Sequence, residues 1–382
     1  MKPFVPKPWC LLIFMLIVSS APPAHGVELL NSERLSLNLG GFVATQTTFD
    51  TNESVVQSQL TNVPGRGRSG RQGFAFDATR MNFALRAPAE QWLASGRFEF
   101  DLESATYFRV RHAYVGIENG PLSLLLGKTG TLIGNWVGPH LFNNDWLWAQ
   151  GNAYDLTPQL RITYQPGRFY VAVAAVTNVL GATDAVPHGQ LRVGYRFGES
   201  GSVGFASHFG RTRKASAPDP TVPGATREVG PVLSYLEQVD LAVGAGPALI
   251  SVAAWYGAAG GHGTGGHTIG GPLFVADDSG HVESVPAAGG FADVVFAVTP
   301  KLSMGVAGGV NFVTATSLLG QALPVRRNAT AGAYASYALT GFWTGAFEVQ
   351  WANTRRALDA ASPGTLSSLN DVRVLLGSRF SF

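Results

Sequence analysis

Arginine is the residue type best placed to do chemistry in this sequence. Beyond residue 26 there are 22 arginines but only three lysines, Lys128, Lys214 and Lys301. Many of the arginines recur at every second position: Arg109 with Arg111, and Arg97 ahead of the acids Glu99 and Asp101. A guanidinium grips a carboxylate or phosphate through two parallel N–H donors and so replaces part of an anion's hydration shell. Alternation places Arg80, Arg86, Arg97, Arg109, Arg111, Arg161, Arg192, Arg196, Arg373 and Arg379 on one wall, and a wall of this kind favours anions. The acids Asp77, Glu99, Asp101 and Glu103 fall on the same wall. They either neutralise the arginines across neighbouring strands or leave an open ladder of cations. Arg161, Arg192, Arg196, Arg373 and Arg379 have few acids nearby in sequence, which tilts the reading towards a mild anion preference.

Other reactive residues carry less. His262 and His267, with His281 beyond, sit in a glycine-rich stretch, which lacks the rigid second shell a metal site needs; the expectation is a solvated loop and no metal or other cofactor. Ser207 and His208 are adjacent, and neighbours on a strand point to opposite faces, so they do not form a nucleophile–base pair. Asn52-Glu53-Ser54 and Asn328-Ala329-Thr330 match a glycosylation pattern short enough to recur by chance. The single cysteine, Cys10, lies near the N-terminus. No catalytic residue is assigned.

The elements that must position the arginines follow from periodicity. Phe98, Phe100 and Leu102 alternate with charged residues, as do Leu160, Ile162 and Tyr164, and Leu191, Val193, Tyr195 and Phe197. Period two means strands. Tight connections at 88–90, 118–121, 166–168, 198–201, 244–247, 299–301 and 340–341 alternate with mostly longer ones near 50–71, 104–106, 130–158, 178–188, 211–227, 258–289, 314–327 and 354–368. Fifteen connections make sixteen strands. The fold class is therefore all-β: a transmembrane antiparallel barrel with short turns at one rim and long loops at the other. Trp92, Tyr107, Tyr114, Trp255, Tyr256 and Trp343 at strand ends are expected to form the interfacial girdles. The final strand carries Val372, Val374, Leu376, Phe380 and Phe382 on one face.

Lys2 and Lys7, the apolar run Trp9–Val18 and the small residues Ala24-His25-Gly26 read as a signal peptide over 1–26, leaving 27–382 as one barrel domain. Without Lys2 and Lys7 the acidic and basic counts are equal, so a nucleic-acid partner is not expected. The 47 glycines and only 14% charged residues argue against both a helical soluble enzyme and disorder.

Within residues 79–165 stand Thr79–Phe83, Gly96–Asp101, the run Phe108-Arg109-Val110-Arg111-His112-Ala113-Tyr114-Val115, Leu124–Thr129 and Pro158–Tyr164. In this order the segments resemble Gram-negative trimeric porins, most closely the DcaP-like group that handles dicarboxylates and related anions. Lys128 stands where the family is expected to carry glutamine, and no coiled-coil extension follows the leader. The resemblance implies an outer-membrane homotrimer and passive diffusion of small anionic or neutral solutes. It also implies that the loop at about 130–157, between the fifth and sixth strands, folds into the barrel. Asn143, Asn144, Asp145, Trp146 and Asp155 in that loop mix bulk with hydrogen-bonding groups and are the candidate constriction residues; packing on the outer rim is the alternative. Expected partners are outer-membrane lipid, lipopolysaccharide and the assembly machinery reading the terminal Phe382; Arg66, Arg68 and Arg71 either touch lipopolysaccharide phosphates or form only a solvated loop. A barrel enzyme or an adhesive barrel are the competing classes.

Overall fold

A computed structural model describes residues 26–51, 71–76, 79–104, 107–134, 151–177, 187–198, 200–213, 215–218, 226–258, 274–315, 317–319, 321–323, 325–357 and 366–382. The barrel strands are β1 (Ser36–Asp50), β2 (in two pieces, Arg71–Ala75 and Arg80–Ala89), β3 (Trp92–Ser104), β4 (Tyr107–Asn119), β5 (Leu122–Gly130), β6 (Leu156–Tyr164), β7 (Phe169–Val176) and β8 (His188–Phe197). They continue as β9 (Gly201–Arg211), β10 (Leu233–Ala245), β11 (Ala248–Ala258), β12 (Pro286–Ala297), β13 (Leu302–Val313), β14 (Val325–Ala338), β15 (Trp343–Ala357) and β16 (Leu366–Ser381). Each pairs antiparallel with its neighbour in sequence, and β1 pairs with β16, so the sixteen-strand sheet closes. Closure leaves no open edge, the condition for a sheet to cross a bilayer.

The closing seam is shared by both ends of the chain. The upper half of β1 pairs with β16, from Asp50↔Arg373 to Phe42↔Ser381. Gly41 and Phe382 exchange both backbone hydrogen bonds, each at 3.0 Å. Below that point a short N-terminal strand, Val27–Asn31, takes over the same side of β1.

The two faces differ as the alternation predicts. Outward side chains are apolar and exposed: Phe98, Phe108, Val115, Leu126, Leu160, Ile162, Phe205, Val306, Phe347 and Leu376 among them. Inward side chains include buried Glu99, Asp101, Arg111, Gln159, Arg192, Asp240, Asp293 and Arg373. An apolar belt on the outside of a closed sheet is the inverse of a soluble protein, and it fits a lipid solvent. Trp92, Tyr256 and Trp343 lie on this outer face as expected, with Trp343 stacked on Phe380 at 5.1 Å. Two expected girdle residues do not. Trp255 is 4% exposed and turns inward, because its neighbour Tyr256 takes the outer position. Tyr114 turns inward beside His112. The side chain of Tyr107 lies outside the described residues, as do residues 1–25.

The long connections hold short hairpins that alternation does not forecast: Ala215–Pro218 with Thr226–Val229, Phe274–Ala276 with Val282–Ser284, and Ser317–Leu318 with Gln321–Ala322. His281 is exposed at the turn of the second. Asp277 in that turn accepts hydrogen bonds from Ser279 Oγ at 2.6 Å, Ser279 N at 3.0 Å and His281 N at 2.9 Å. These bonds, the one from the Ser279 hydroxyl foremost, hold its carboxyl below the usual range. The carboxylate is thus committed to its own turn. No group of three or more His, Cys, Asp or Glu suited to a metal occurs among the described residues; His262 and His267 lie outside them.

Candidate functional site

The densest charge on the inner wall lies on β2 to β4. Register brings Arg80 opposite Asp101, Asn82 opposite Glu99, and Asp101 opposite Arg109. Asp101, 1% exposed, accepts from Arg109 Nε at 3.1 Å and Nη2 at 3.0 Å, and from Arg111 Nη1 at 3.0 Å. Arg80 Nη2 lies 3.7 Å away. Glu99, equally buried, is bonded by Arg97 and has Arg80 Nε at 3.5 Å and Arg111 Nε at 3.9 Å. Two carboxylates thus sit within four guanidiniums, and the cluster carries a surplus of positive charge. Arg111 is nearly buried, whereas Arg97, Arg109 and Arg80 retain 39%, 30% and 22% side-chain exposure, so the acids are the core of the cluster and the arginines its solvent face.

A β-bulge adds a further member. Glu99 pairs with His112 and Phe100 with Val110, which leaves Arg111 as the extra residue. A bulge puts two successive side chains on one face, and His112 joins Arg111 inside. Its Nε2 lies 3.7 Å from Glu99 Oε1, and its Nδ1 is 2.8 Å from Thr129 Oγ1. Strict alternation misses this residue, since it places neighbours on opposite faces.

The remaining inward arginines divide. Arg192, fully buried, donates through Nη2 to both oxygens of Asp240 at 2.6 Å. Arg373 donates to Asp50 at 2.6 and 2.9 Å. These two correct the expectation of arginines with few acids nearby: their partners are far away in sequence and adjacent in the barrel. Gly204 on the intervening β9 makes the Arg192–Asp240 pair possible, because a Cβ there would stand 2.4 Å from Arg192 Nη2 and 2.9 Å from Asp240 Oδ1. Arg161 is held by Gln159 Oε1, at 2.9 Å from Nε and 2.7 Å from Nη2, and by the carbonyl of Gly130. Among the described residues neither Arg161 nor Arg196 has a carboxylate partner. Arg379 stacks over the Phe42 ring at 4.5 Å, with Arg80 over the same ring at 5.4 Å. Arg86 is exposed at the short-turn end.

The connection between β5 and β6 leaves the wall and meets distant strands. Leu132 N donates to Gln190 Oε1 at 2.9 Å, Arg192 Nη1 to Leu132 O at 3.1 Å, and Gly134 N to Gln238 Oε1 at 2.8 Å. These acceptors and donors stand on the inner faces of β8 and β10. On the return, Trp255 Nε1 on β11 donates to Gly151 O at 2.9 Å. Gly151, with φ +129°, lies so close to β12 and β13 that a Cβ would be 2.2 Å from Gly290 O and 3.0 Å from Gly309 Cα. Asp155 then caps the start of β6, its Oδ1 accepting from Leu156 N at 2.6 Å. Asn143, Asn144, Asp145 and Trp146 lie outside the described residues, as do Arg66, Arg68 and Asp77.

No protein-family model matches the chain, and no curated protein matches it in sequence. Solved structures do. The outer-membrane channel DcaP of Acinetobacter baumannii superposes with a TM-score of 0.74 at 17% identity, over 93% of this chain and all of that one. The trimer form of OmpT, an outer-membrane protein of Vibrio cholerae, gives 0.62 at 13% identity, over 92% of this chain and all of that one. This is the porin fold. OmpF of Salmonella typhi, in a structure with daunomycin, agrees at 0.60 and 10% identity, over 93% of this chain and all of OmpF. Within this porin fold the arginine cluster on β2 to β4 and the seat of the β5–β6 connection stand on the same inner surface. Ser207 and His208 are split across the wall: Ser207 Oγ donates to Glu237 Oε1 at 2.8 Å, while His208 is buried inside against Gln190 and Ser234.

Proposed function

We propose that the chain is an outer-membrane porin: a passive diffusion channel for small hydrophilic solutes with a mild preference for anions such as dicarboxylates, and not an enzyme. The observation that carries this reading is the guanidinium surplus on the inner wall, with four arginines around Glu99 and Asp101 and two further arginines, Arg161 and Arg196, without a carboxylate partner among the described residues. A solute moving down its gradient needs no catalytic group; it needs a wet lumen, a width filter and a charge filter. The β5–β6 connection supplies the width filter in this reading, since both its described ends are tied to inner faces of β8 and β10 to β13. Likeness to a protein described as an outer-membrane channel supports the function, and likeness to a trimer supports a homotrimer. Lipopolysaccharide contact and recognition of Phe382 during assembly belong to the same proposal.

The test is single-channel current from the mature chain in planar bilayers, followed by the reversal potential in a salt gradient. Open steps in groups of three and a reversal potential favouring chloride are expected. Potassium selectivity would overturn the anion preference, and a folded barrel that passes no current would overturn the channel.

A further inference from the structure

The outer face of β14 and β15 carries a feature that a lipid-facing wall does not ordinarily tolerate. Arg327 and Arg355 are register partners on adjacent strands, next to the long-loop rim. Both face outwards: Phe312, the partner of Arg327 on β13, is exposed, and so is Trp351, four residues before Arg355 on β15. Like charges directly opposite on neighbouring strands repel, and neither arginine has a carboxylate partner among the described residues.

The site is nevertheless built. Arg327 Nη2 donates to Asn353 Oδ1 at 2.7 Å. Asn353 is only 3% exposed although it belongs to the outer face, because its Nδ2 is fixed by Ser368 Oγ at 2.7 Å, Asn370 Oδ1 at 2.9 Å and Leu369 O at 3.3 Å. The bulge at Arg326 that starts β14 is pinned by Arg326 Nη1 donating to Ala315 O at 2.8 Å. Arg355 is exposed and Arg327 half-buried, so both guanidiniums can present N–H donors to an acceptor from outside the chain.

We infer that Arg327 and Arg355 bind the phosphate of a phosphorylated lipid in the leaflet at the long-loop rim. The chemistry selects that occupant. The pair stands beyond an exposed aromatic on the lipid side, at the depth where guanidiniums snorkel to headgroups, and a phosphate offers the oxygens that two forked guanidiniums need. The inference rests on the membrane reading above, but not on the channel's selectivity, because neither residue touches the lumen.

The experiment uses the mature protein in detergent with lipid A as the probe. Monophosphoryl and fully dephosphorylated lipid A, and inorganic phosphate, serve as separate arms, and binding is read by native mass spectrometry. Lipid A is expected to bind at least about tenfold more tightly to the wild type than to the Arg327→Ala/Arg355→Ala double variant, with dephosphorylated lipid A binding both equally weakly. Arg327→Lys should recover part of the difference. Conductance and heat-modifiable gel mobility of the double variant should match wild type, which separates this site from both the channel and the fold. Equal binding by wild type and variant, or equal binding of dephosphorylated lipid, would overturn the inference. So would competition by phosphate alone at the same concentration as lipid A, or a variant that loses its oligomer while keeping lipid, which would assign the pair to a neighbouring copy.

Discussion

At the scale of residues, the acids decide how much of the arginine charge a solute meets. Glu99 and Asp101 each neutralise part of the four-guanidinium cluster, so removing one carboxyl charge should expose more of it. A unit charge about 7 Å from a permeating ion in a water-filled lumen is worth about 0.6 kcal/mol, about a threefold change in local anion concentration. Glu99→Gln and Asp101→Asn should each move the reversal potential further towards chloride, and Arg109→Ala should move it back. Unchanged reversal potentials in all three would show that the cluster lies off the ion path. The charged members of this cluster were legible in the sequence because they repeat with period two. His112 was not, because a one-residue bulge inverts the phase locally and nothing in Arg-His-Ala-Tyr announces it. The partners of Arg192 and Arg373 were illegible for a different reason. Asp240 and Asp50 are brought close by strand order, closure and, for Arg192, a side-chain-free Gly204, none of which a linear reading supplies.

At the scale of elements, the connection after β5 is fixed at two places, by amides on β8 and β10 and by the Trp255 indole on β11. Trp255→Phe keeps an aromatic ring and removes the bond to Gly151 O, a loss of about 0.5–1.5 kcal/mol. The expected outcome is a noisier open channel, read from the current variance of single channels. Identical noise in wild type and variant would mean the seat holds without the indole. Gly151 and Gly290 account for the close approach: with φ +129° and Gly290 O at 2.2 Å from its would-be Cβ, Gly151 accepts no side chain. Strand positions and the alternation of short turns with longer connections were readable from turn residues and periodicity. Trp255 and Tyr256 both read as girdle residues because both are aromatics near a strand end, yet adjacent positions take opposite faces, and period two alone does not say which one faces out. The small hairpins in the long connections lack the repeated alternation that marked the barrel strands.

At the scale of the whole molecule, the seam between β1 and β16 closes the ring. Asp50 and Arg373 are both buried and joined by two hydrogen bonds there. Removing one member strands the other charge away from water, a penalty of about 3–5 kcal/mol. Asp50→Asn should therefore lower the temperature at which the barrel loses its compact gel mobility, more than the Asp50→Asn/Arg373→Met double variant does. Equal losses in the two would mean that the seam is held by backbone pairing and not by the ion pair. The sixteen-strand closed architecture itself was the most legible level, since it needs only alternation, connection length and the requirement that backbone groups in lipid be paired.

The same seam has a consequence for how the chain is threaded. Gly26 lies against Leu39 and Gly40, and Phe382 pairs with Gly41, so the first described residue and the last one abut end to end along a single strand of the cylinder. The two segments together flank β1 as one continuous strand would. A circularly permuted protein, with Phe382 spliced to Gly26 through a short linker and new ends opened in a long-rim loop, would present the same hoop of hydrogen bonds. In such a protein the order of export would change while the finished cylinder would not.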